Sequence, residues 1–189
     1  TMFGTASEEA YLSYFSRVNY DYKDKYLFEA VGRYDGSFRF PKGNRFGFFP
    51  AFSVGWRISE EGFFNNNIEF FDELKLRASW GQTGNDRVDP FQYLRTFQFG
   101  RGYVFGTEEA SSITPSQIPN PDITWEVANQ LDIGLEAQVL EQQMAVELDY
   151  FNYLRRDILT FRDASIPRTS GFELPRENIG KVRSWGWDG

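Results

Sequence analysis

The chain has 189 residues, of which 19% are aromatic, and it carries a formal net charge of -7. Its mean hydropathy of -0.51, and the lack of any run of roughly 20 apolar residues, exclude membrane-spanning helices. The sequence contains neither Cys nor His, which excludes disulfide frameworks and thiolate metal sites, and its scattered basic residues argue against nucleic-acid binding.

Alternation with period two predicts long antiparallel strands from the start of the chain. Leu12–Tyr22 and Tyr26–Tyr34 flank the polar connection 23–25, which is the spacing of a hairpin. A third strand covers Phe46–Ile58. Pro50 within it costs a ladder hydrogen bond, so we expect a bulge or an unpaired donor there.

The second half of the chain predicts four further strands. Leu74–Gly81 is followed, much later, by a hairpin of Trp125–Val139 and Met144–Phe151, and a last strand begins near Asn178. The aromatic segment Phe91–Phe105 is expected to hold one more strand pair inside a long loop.

The lengths of the connections predict which ends of the strands face the periplasm and which face outward. Outer-membrane barrels join their strands by short turns on the periplasmic side and by longer loops outside. The short turns near Asp24 and Gln142 therefore indicate the periplasmic edge, where residues 59–73 form a longer connection that we expect to contain a helical turn. The outer connections are predicted at 35–45, 84–122 and 161–177.

A soluble β-sandwich would also alternate, but its strands average about five or six residues, whereas these run to about ten, as a tilted membrane crossing requires. Rings near strand ends, such as Tyr20, Tyr22 and Trp56, suit interfacial girdles. We therefore predict an all-β, antiparallel up-and-down transmembrane β-barrel, of which this chain holds a partial sheet of about seven to nine strands.

The polar set of the strands would then face the lumen. For each residue the alternative to a place on a selectivity path is a solvated, mutually paired wall, because surface ion pairs are common and weak. The predicted lumen-facing residues are Arg17, Asn19, Asp21, Glu29, Arg33, Lys75, Arg77, Asp132, Glu136, Glu147 and Asp149.

Aromatic residues in the long outer loop are candidates for ligand contact, because flat rings can stack on sugar faces. The alternative is packing within the loop or in extra strands. These candidates are Phe91, Tyr93, Phe97, Phe99, Tyr103 and Phe105. The sequence shows no calcium-loop spacing, phosphate loop or nucleophile–base arrangement, so we expect no enzyme activity, no metal site and no cofactor.

Ordered sequence blocks cover almost the whole chain. They are 13–22 (SYFSRVNYDY), 33–40 (RYDGSFRF), 44–50 (NRFGFFP), 54–61 (VGWRISEE), 74–85 (LKLRASWGQTGN), 120–126 (NPDITWE) and 178–187 (NIGKVRSWGW). Together they resemble the SusC/RagA-type family of TonB-dependent outer-membrane importers of the Bacteroidota. The last block has Ser184 where the family usually has Asn. We interpret Asp35-Gly36-Ser37 as turn chemistry and expect Gly81, Gly84 and Asn85 to end a strand.

The resemblance implies a barrel of roughly 22 strands that is occluded by a plug domain. It also implies a multi-pass protein of the cell outer membrane, in contact with outer-membrane lipid, that imports oligosaccharides or peptides. The expected partners are a SusD-like lipoprotein and the TonB complex.

No secretory signal opens the chain, and a strand-like pattern continues to Gly189. We therefore expect residues 1–189 to be part of the barrel domain, with the plug domain and the amino-terminal extension, including the TonB-contacting segment, outside this chain. Two alternatives remain open: a receptor for an iron chelate or a cobalamin-like ligand, and a secreted β-rich binding or adhesion module.

Overall fold

The computed structural model of the chain describes residues 8–65, 70–115, 118–161 and 175–189. Seven strands form one antiparallel sheet in the order β1-β2-β3-β4-β7-β8-β9, and β5 and β6 form a separate hairpin. The strands are β1 (Tyr11–Tyr22), β2 (Tyr26–Ser37), β3 (Phe46–Arg57), β4 (Phe71–Asn85), β5 (Phe97–Phe105), β6 (Glu108–Pro115), β7 (Glu126–Val139), β8 (Met144–Phe161) and β9 (Arg176–Asp188).

The large sheet is an up-and-down meander, because each strand lies beside the next one along the chain, with the β5–β6 hairpin inserted between β4 and β7. Within the described residues β1 pairs only with β2, and β9 only with β8, so the sheet is open. The predicted all-β fold, with a partial antiparallel up-and-down sheet, is confirmed.

Strand register separates apolar and polar residues onto opposite faces, because residues directly across from each other in a ladder share a face. One row across five strands contains Val18, Ala30, Phe52, Trp80 and Leu131. The next row contains Asn19, Glu29, Ser53, Ser79 and Asp132. We call these the apolar face and the polar face. Large side chains of the apolar face are well exposed; Trp187, for example, is 75% exposed.

Both short turns lie where the sequence predicts them. Lys23 and Asp24 take φ values of 56° and 55° between β1 and β2, and the Asp24 amide donates to Asp21 Oδ1 at 2.9 Å. At the same edge, the turn 140–143 joins β7 to β8, and the Gln142 amide donates to Asp72 Oδ2 at 2.9 Å.

The third connection at this edge contains the predicted helical turn. A 3₁₀ turn (Ile58–Glu60) is followed by the single α-helical turn α1 (Gly62–Asn65), and residues 66–69 lie outside the described part. No helix in the described ranges is both long and apolar enough to cross a membrane.

The interpretation of Asp35-Gly36-Ser37 as a turn is wrong, because β2 continues through these residues to Ser37. Asp35 pairs with Ser13 on one side and Gly47 on the other. A Cβ at Gly36 would collide with the Phe46 ring, so this glycine serves a close ring approach instead of a turn.

The strands β4 and β8 are also longer than predicted. Gly81 lies within β4, paired with Ala51 and Gln130, and only Asn85 ends that strand. β8 runs on to Phe161 through a register irregularity between residues 155 and 158. Of the predicted outer connection 161–177, residues 162–174 lie outside the described part.

Of the two outcomes expected at Pro50, the bulge is not formed. The β2–β3 register is regular through the pair of Gly32 and Pro50. Pairing of β3 with β4 starts only at the next residue, Ala51. At Pro50, β3 is paired with β2 alone. The N–H group that proline lacks is therefore not needed by the β3–β4 ladder.

Candidate functional site

All of the residues predicted to face the lumen lie on the polar face. They come from β1, β2, β4, β7 and β8, and they alternate with the apolar set without a register shift at their positions. Strand alternation in the sequence was sufficient to find them, since one residue in two points to each side of a strand.

Arg77 is the centre of the largest charged cluster on this face. Its Nη2 donates to Asp149 Oδ2 at 2.8 Å and lies 3.6 Å from Glu147 Oε1, while Nε lies 2.7 Å from Glu136 Oε1 without hydrogen-bond alignment. Lys75 Nζ donates to Glu136 at 3.0 Å. These five residues, the Arg77 cluster, contain one more carboxylate than cations.

A missing side chain makes the bridge between Arg77 and Asp149 possible. The two residues stand on β4 and β8, with β7 between them, and Gly134 of β7 occupies the intervening position in the row. A Cβ at Gly134 would collide with Asp149 Oδ1 and would lie 2.7 Å from Arg77 Nε. Sequence reasoning missed this residue; its only signal is a glycine in the polar set of a long strand.

Other pairs of the polar face link neighbouring strands. Arg17 Nη2 donates to Glu29 Oε2 at 2.6 Å, and Tyr153 OH donates to Asp132 Oδ1 at 2.8 Å. Arg17 is 60% exposed, so this pair contributes little by itself, and the charges act together as a paired polar wall.

The polar face forms an open hollow of about 560 Å³ over β1 to β4 and β7. Its floor consists of small residues, Ser53, Gly55 and Ser79, and carboxylates of Glu29 and Asp132 flank it. A smaller hollow of about 230 Å³ continues toward Gly81 and Gln130. Such a surface can accept a polar polypeptide segment or a polar solute, because it offers both donors and acceptors.

The connection between β3 and β4, at the same edge of the sheet as the two short turns, is held to the sheet by Glu61. Its carboxylate accepts hydrogen bonds from Tyr26 OH at 2.6 Å and Trp56 Nε1 at 3.3 Å, and Lys25 Nζ lies 3.4 Å away. These bonds, that from Tyr26 first, hold the pKa of Glu61 below its ordinary value of 4.5. Charge in this connection is therefore coupled to two rings at the strand ends.

The opposite end of the sheet contains a small buried core. Four side chains there are each at most 8% exposed: Phe40, Phe49, Ile123 and Trp125. The Trp125 ring centroid lies 5.1 Å from that of Phe40 and 5.3 Å from that of Phe49. Beyond Ala51 the strands β3 and β4 are no longer paired, and the Phe49 ring lies where a Cβ at Gly47 or Gly84 would collide with it. This core makes that end of the sheet compact.

Three asparagines connect the segments around that core. Asn44 Nδ2 donates to the carbonyls of residues 122 and 123, both at 3.2 Å, and Asn120 Nδ2 donates to the Arg176 carbonyl at 2.7 Å. Asn178 Nδ2 donates to Thr124 O and Asp157 O, and its Oδ1 accepts from the Thr124 amide. The sequence blocks that contain these asparagines thus have a structural role.

The candidate aromatic residues are not gathered into one site. Phe91 packs near Phe38, with ring centroids 6.1 Å apart, and Tyr93 packs on the buried core around Trp125. Phe97, Phe99 and Tyr103 lie on β5, while the side chain of Phe105 lies outside the described part.

The long loop does contain an extra strand pair, but the predicted bounds are wrong: only β5 lies within Phe91–Phe105, and its partner β6, Glu108–Pro115, follows that segment. Its register shifts by one residue between Gly100 and Tyr103. This shift puts Phe97 and Phe99 on one face and Tyr103 on the other. Phe99 is 83% exposed, and Ile113 opposite it is 65% exposed.

Among the described residues, no group of three or more Asp, Glu, His or Cys side chains is placed to hold a metal ion. The Arg77 cluster is internally paired, and its carboxylates are spread along β7 and β8. The arrangement suits a static polar wall.

Comparison with known proteins agrees with this geometry. The profile of the family described as TonB dependent receptor-like, beta-barrel matches residues 3–189. TonB-dependent receptor P26 of Formosa agariphila is 40% identical over 93% of this chain and 17% of its own length. TonB-dependent receptor SusC of Bacteroides thetaiotaomicron is 32% identical over 97% of this chain and 18% of its own length.

Among solved structures, the RagAB peptide importer in its closed-closed state superimposes with a TM-score of 0.81 and 28% identity. The match covers 96% of this chain and 19% of that chain. This chain thus spans less than a fifth of the length of each of these relatives. The chain belongs to the TonB-dependent receptor β-barrel family, and within it to the SusC/RagA type.

Proposed function

We propose that this chain is part of the barrel wall of an outer-membrane importer that takes up oligosaccharides or peptides. The observation that supports this most strongly is the two-faced sheet within a TonB-dependent receptor family. Its exposed apolar face with Tyr and Trp near the strand ends suits lipid, and its ion-paired polar face suits a polar, filled lumen. Members of this family are transporters of the outer membrane, and RagAB is a peptide importer.

The partners and the energy input belong to the same proposal. The importer works with a SusD-like lipoprotein and takes energy from the TonB complex through a segment outside this chain. Residues 1–189 are then barrel domain, and a plug domain fills the lumen. The relatives support this because each is more than five times as long as the matched region.

Within the wall, the polar face lines the lumen and the β5–β6 hairpin carries residues that contact cargo. Phe97 and Phe99 are the best placed for this role. Both are well exposed, share one face of the hairpin, and offer ring surfaces for stacking on a sugar or a side chain. Tyr103 lies on the other face and provides an internal control.

The test uses the full-length protein together with its SusD-like partner, expressed in a host with an outer membrane. Uptake of fluorescent oligosaccharides, fluorescent peptides and a ferric chelate is compared in three backgrounds: intact cells, cells lacking TonB, and cells treated with a protonophore. We expect recovery in the outer-membrane fraction and uptake of an oligosaccharide or peptide that is lost in the second and third backgrounds.

Three results would contradict the proposal. Recovery in the soluble fraction would favour a secreted binding module. Uptake that persists without TonB would indicate a passive pore. Uptake of the ferric chelate alone would favour a metal-chelate receptor of the same architecture.

A further inference from the structure

The apolar face carries one groove that the transport function does not explain. It has a volume of about 410 Å³ and spans β4, β7, β8 and β9. Its lining side chains are Leu76, Ile133, Leu135, Leu148, Tyr150 and Trp187. The groove is therefore built from residues of four strands of the apolar face.

The groove has a floor and one high wall. Leu76, Leu135 and Leu148 are successive neighbours in one row of the sheet, and the Gly134 backbone completes the floor. The wall is the ring pair of Tyr150 and Trp187, whose centroids are 5.0 Å apart. A depression between a leucine row and a ring wall accepts an elongated object lying along the sheet.

The chemistry of the lining selects an apolar occupant. Leucine, isoleucine and ring carbon atoms supply nearly all of its surface, so the groove offers almost no hydrogen-bond partner. Its volume lies within the range of about 300 to 1,000 Å³ that is common for small-molecule sites. A saturated hydrocarbon chain satisfies both conditions, whereas an extended protein segment would bury backbone N–H and C=O groups without partners.

The position of the groove indicates which lipid leaflet supplies that chain. Leu148 is four residues from Met144, where β8 leaves the short turn, so it stands about 13 Å from that edge along the strand at about 3.3 Å per residue. Strand tilt makes the depth smaller still. Because the hydrocarbon core is about 30 Å thick, the groove lies in the periplasmic half.

We propose that the groove formed by Leu76, Ile133, Leu135, Leu148, Tyr150 and Trp187 seats one acyl chain of a phospholipid from the periplasmic leaflet. This inference rests on the proposed function, since it requires that the apolar face meets lipid. It goes further by assigning a saturable seat to one place on that face.

The experiment uses the full-length protein in lipid nanodiscs that contain a small fraction of phospholipid with a diazirine in the middle of one acyl chain. After illumination, cross-linked peptides are identified by mass spectrometry while the labelled fraction is raised. Leu148→Trp fills the groove without adding charge. Val18→Trp places the same ring on the apolar face of β1, away from the groove, and is the matched control.

We expect cross-links to concentrate on peptides that line the groove and to saturate near one label per barrel. Leu148→Trp lowers that yield about tenfold, while Val18→Trp leaves it unchanged. Uniform labelling of the apolar face without saturation would overturn the proposal, because it would show that this face contacts bulk lipid only. Loss of a barrel dimer with Leu148→Trp would identify a second copy as the occupant.

A saturable site that takes lipopolysaccharide label instead of phospholipid label would also overturn it. Failure of the proposed function has a different signature, since a soluble protein would show no cross-linking on either face. Both variants are checked for folding by their resistance to unfolding in SDS before heating.

Discussion

Replacement of Gly134 by alanine tests whether the polar wall depends on contact across an intervening strand. Arg77 and Asp149 are separated by two strand spacings, about 10 Å, and they meet only because position 134 has no side chain. An alanine Cβ there would collide with Asp149 Oδ1 and lie 2.8 Å from Arg77 Cζ. One of the two charged side chains must therefore move.

The expected cost can be derived from opposing contributions. Alanine in a strand interior gains about 0.5–1 kcal/mol over glycine. The forced shift costs about 1–3 kcal/mol, and the loss of a half-buried charged hydrogen bond costs about 1 kcal/mol more. We expect Gly134→Ala to lower the free energy of unfolding of the full-length barrel by about 1–3.5 kcal/mol, measured by urea titration in micelles.

Gly55→Ala is the matched control, because Gly55 lies in the same row of the polar face. Its Cβ would meet Leu27 at 3.4 Å, which is close to an ordinary contact, so this change should be neutral or slightly stabilising. The reasoning is refuted if the two variants have equal stability. It is also refuted if Gly134→Ala is equally costly in a background where Arg77→Ala and Asp149→Ala have removed both side chains that the new Cβ meets.

Three further predictions concern Glu61, Asn178 and the β5–β6 hairpin. The pKa of Glu61 is lowered, so its stabilisation of the connection between β3 and β4 is present above pH 4.5 and is lost as pH falls through the lower folded-state value. A nitroxide on this connection should gain mobility on acidification, and Glu61→Gln should abolish that response. Asn178→Ala removes three hydrogen bonds and should lower the free energy of unfolding by about 2–3 kcal/mol, against less than about 0.5 kcal/mol for Asn19→Ala. Phe99→Ala should weaken cargo binding by about threefold to tenfold in a titration with the full-length protein, whereas Tyr103→Ala on the opposite hairpin face should leave it unchanged.

Much of the sheet could be predicted from sequence because burial and lipid contact both act on alternate residues of a strand. The alternating residues of β1, with Val18 in one set and Asn19 in the other, were enough to assign its two faces. Strand pairing extends that assignment across the sheet to Leu131 and Asp132. The short turns were equally evident, since a hairpin leaves few residues between strands.

The sequence was less informative wherever a residue acts on a partner that is distant in the chain. Gly36 stands in an Asp-Gly-Ser sequence that resembles a turn, yet it lies under the Phe46 ring. Gly134 makes room for two side chains of other strands. The register shift in β5 separates Phe99 from Tyr103, although strict alternation would put both on one face. These features depend on register, which single-strand patterns do not specify.

The most direct test of the two-faced wall uses adjacent residues of β4. The chain contains no cysteine, so Ala78→Cys and Ser79→Cys can each carry a bimane fluorophore in a full-length background freed of other cysteines. In bilayers with brominated acyl chains, we predict strong quenching at position 78, on the apolar face, and little at position 79, on the polar face. Equal quenching at both positions, or stronger quenching at position 79, would contradict the assignment of these faces to lipid and lumen.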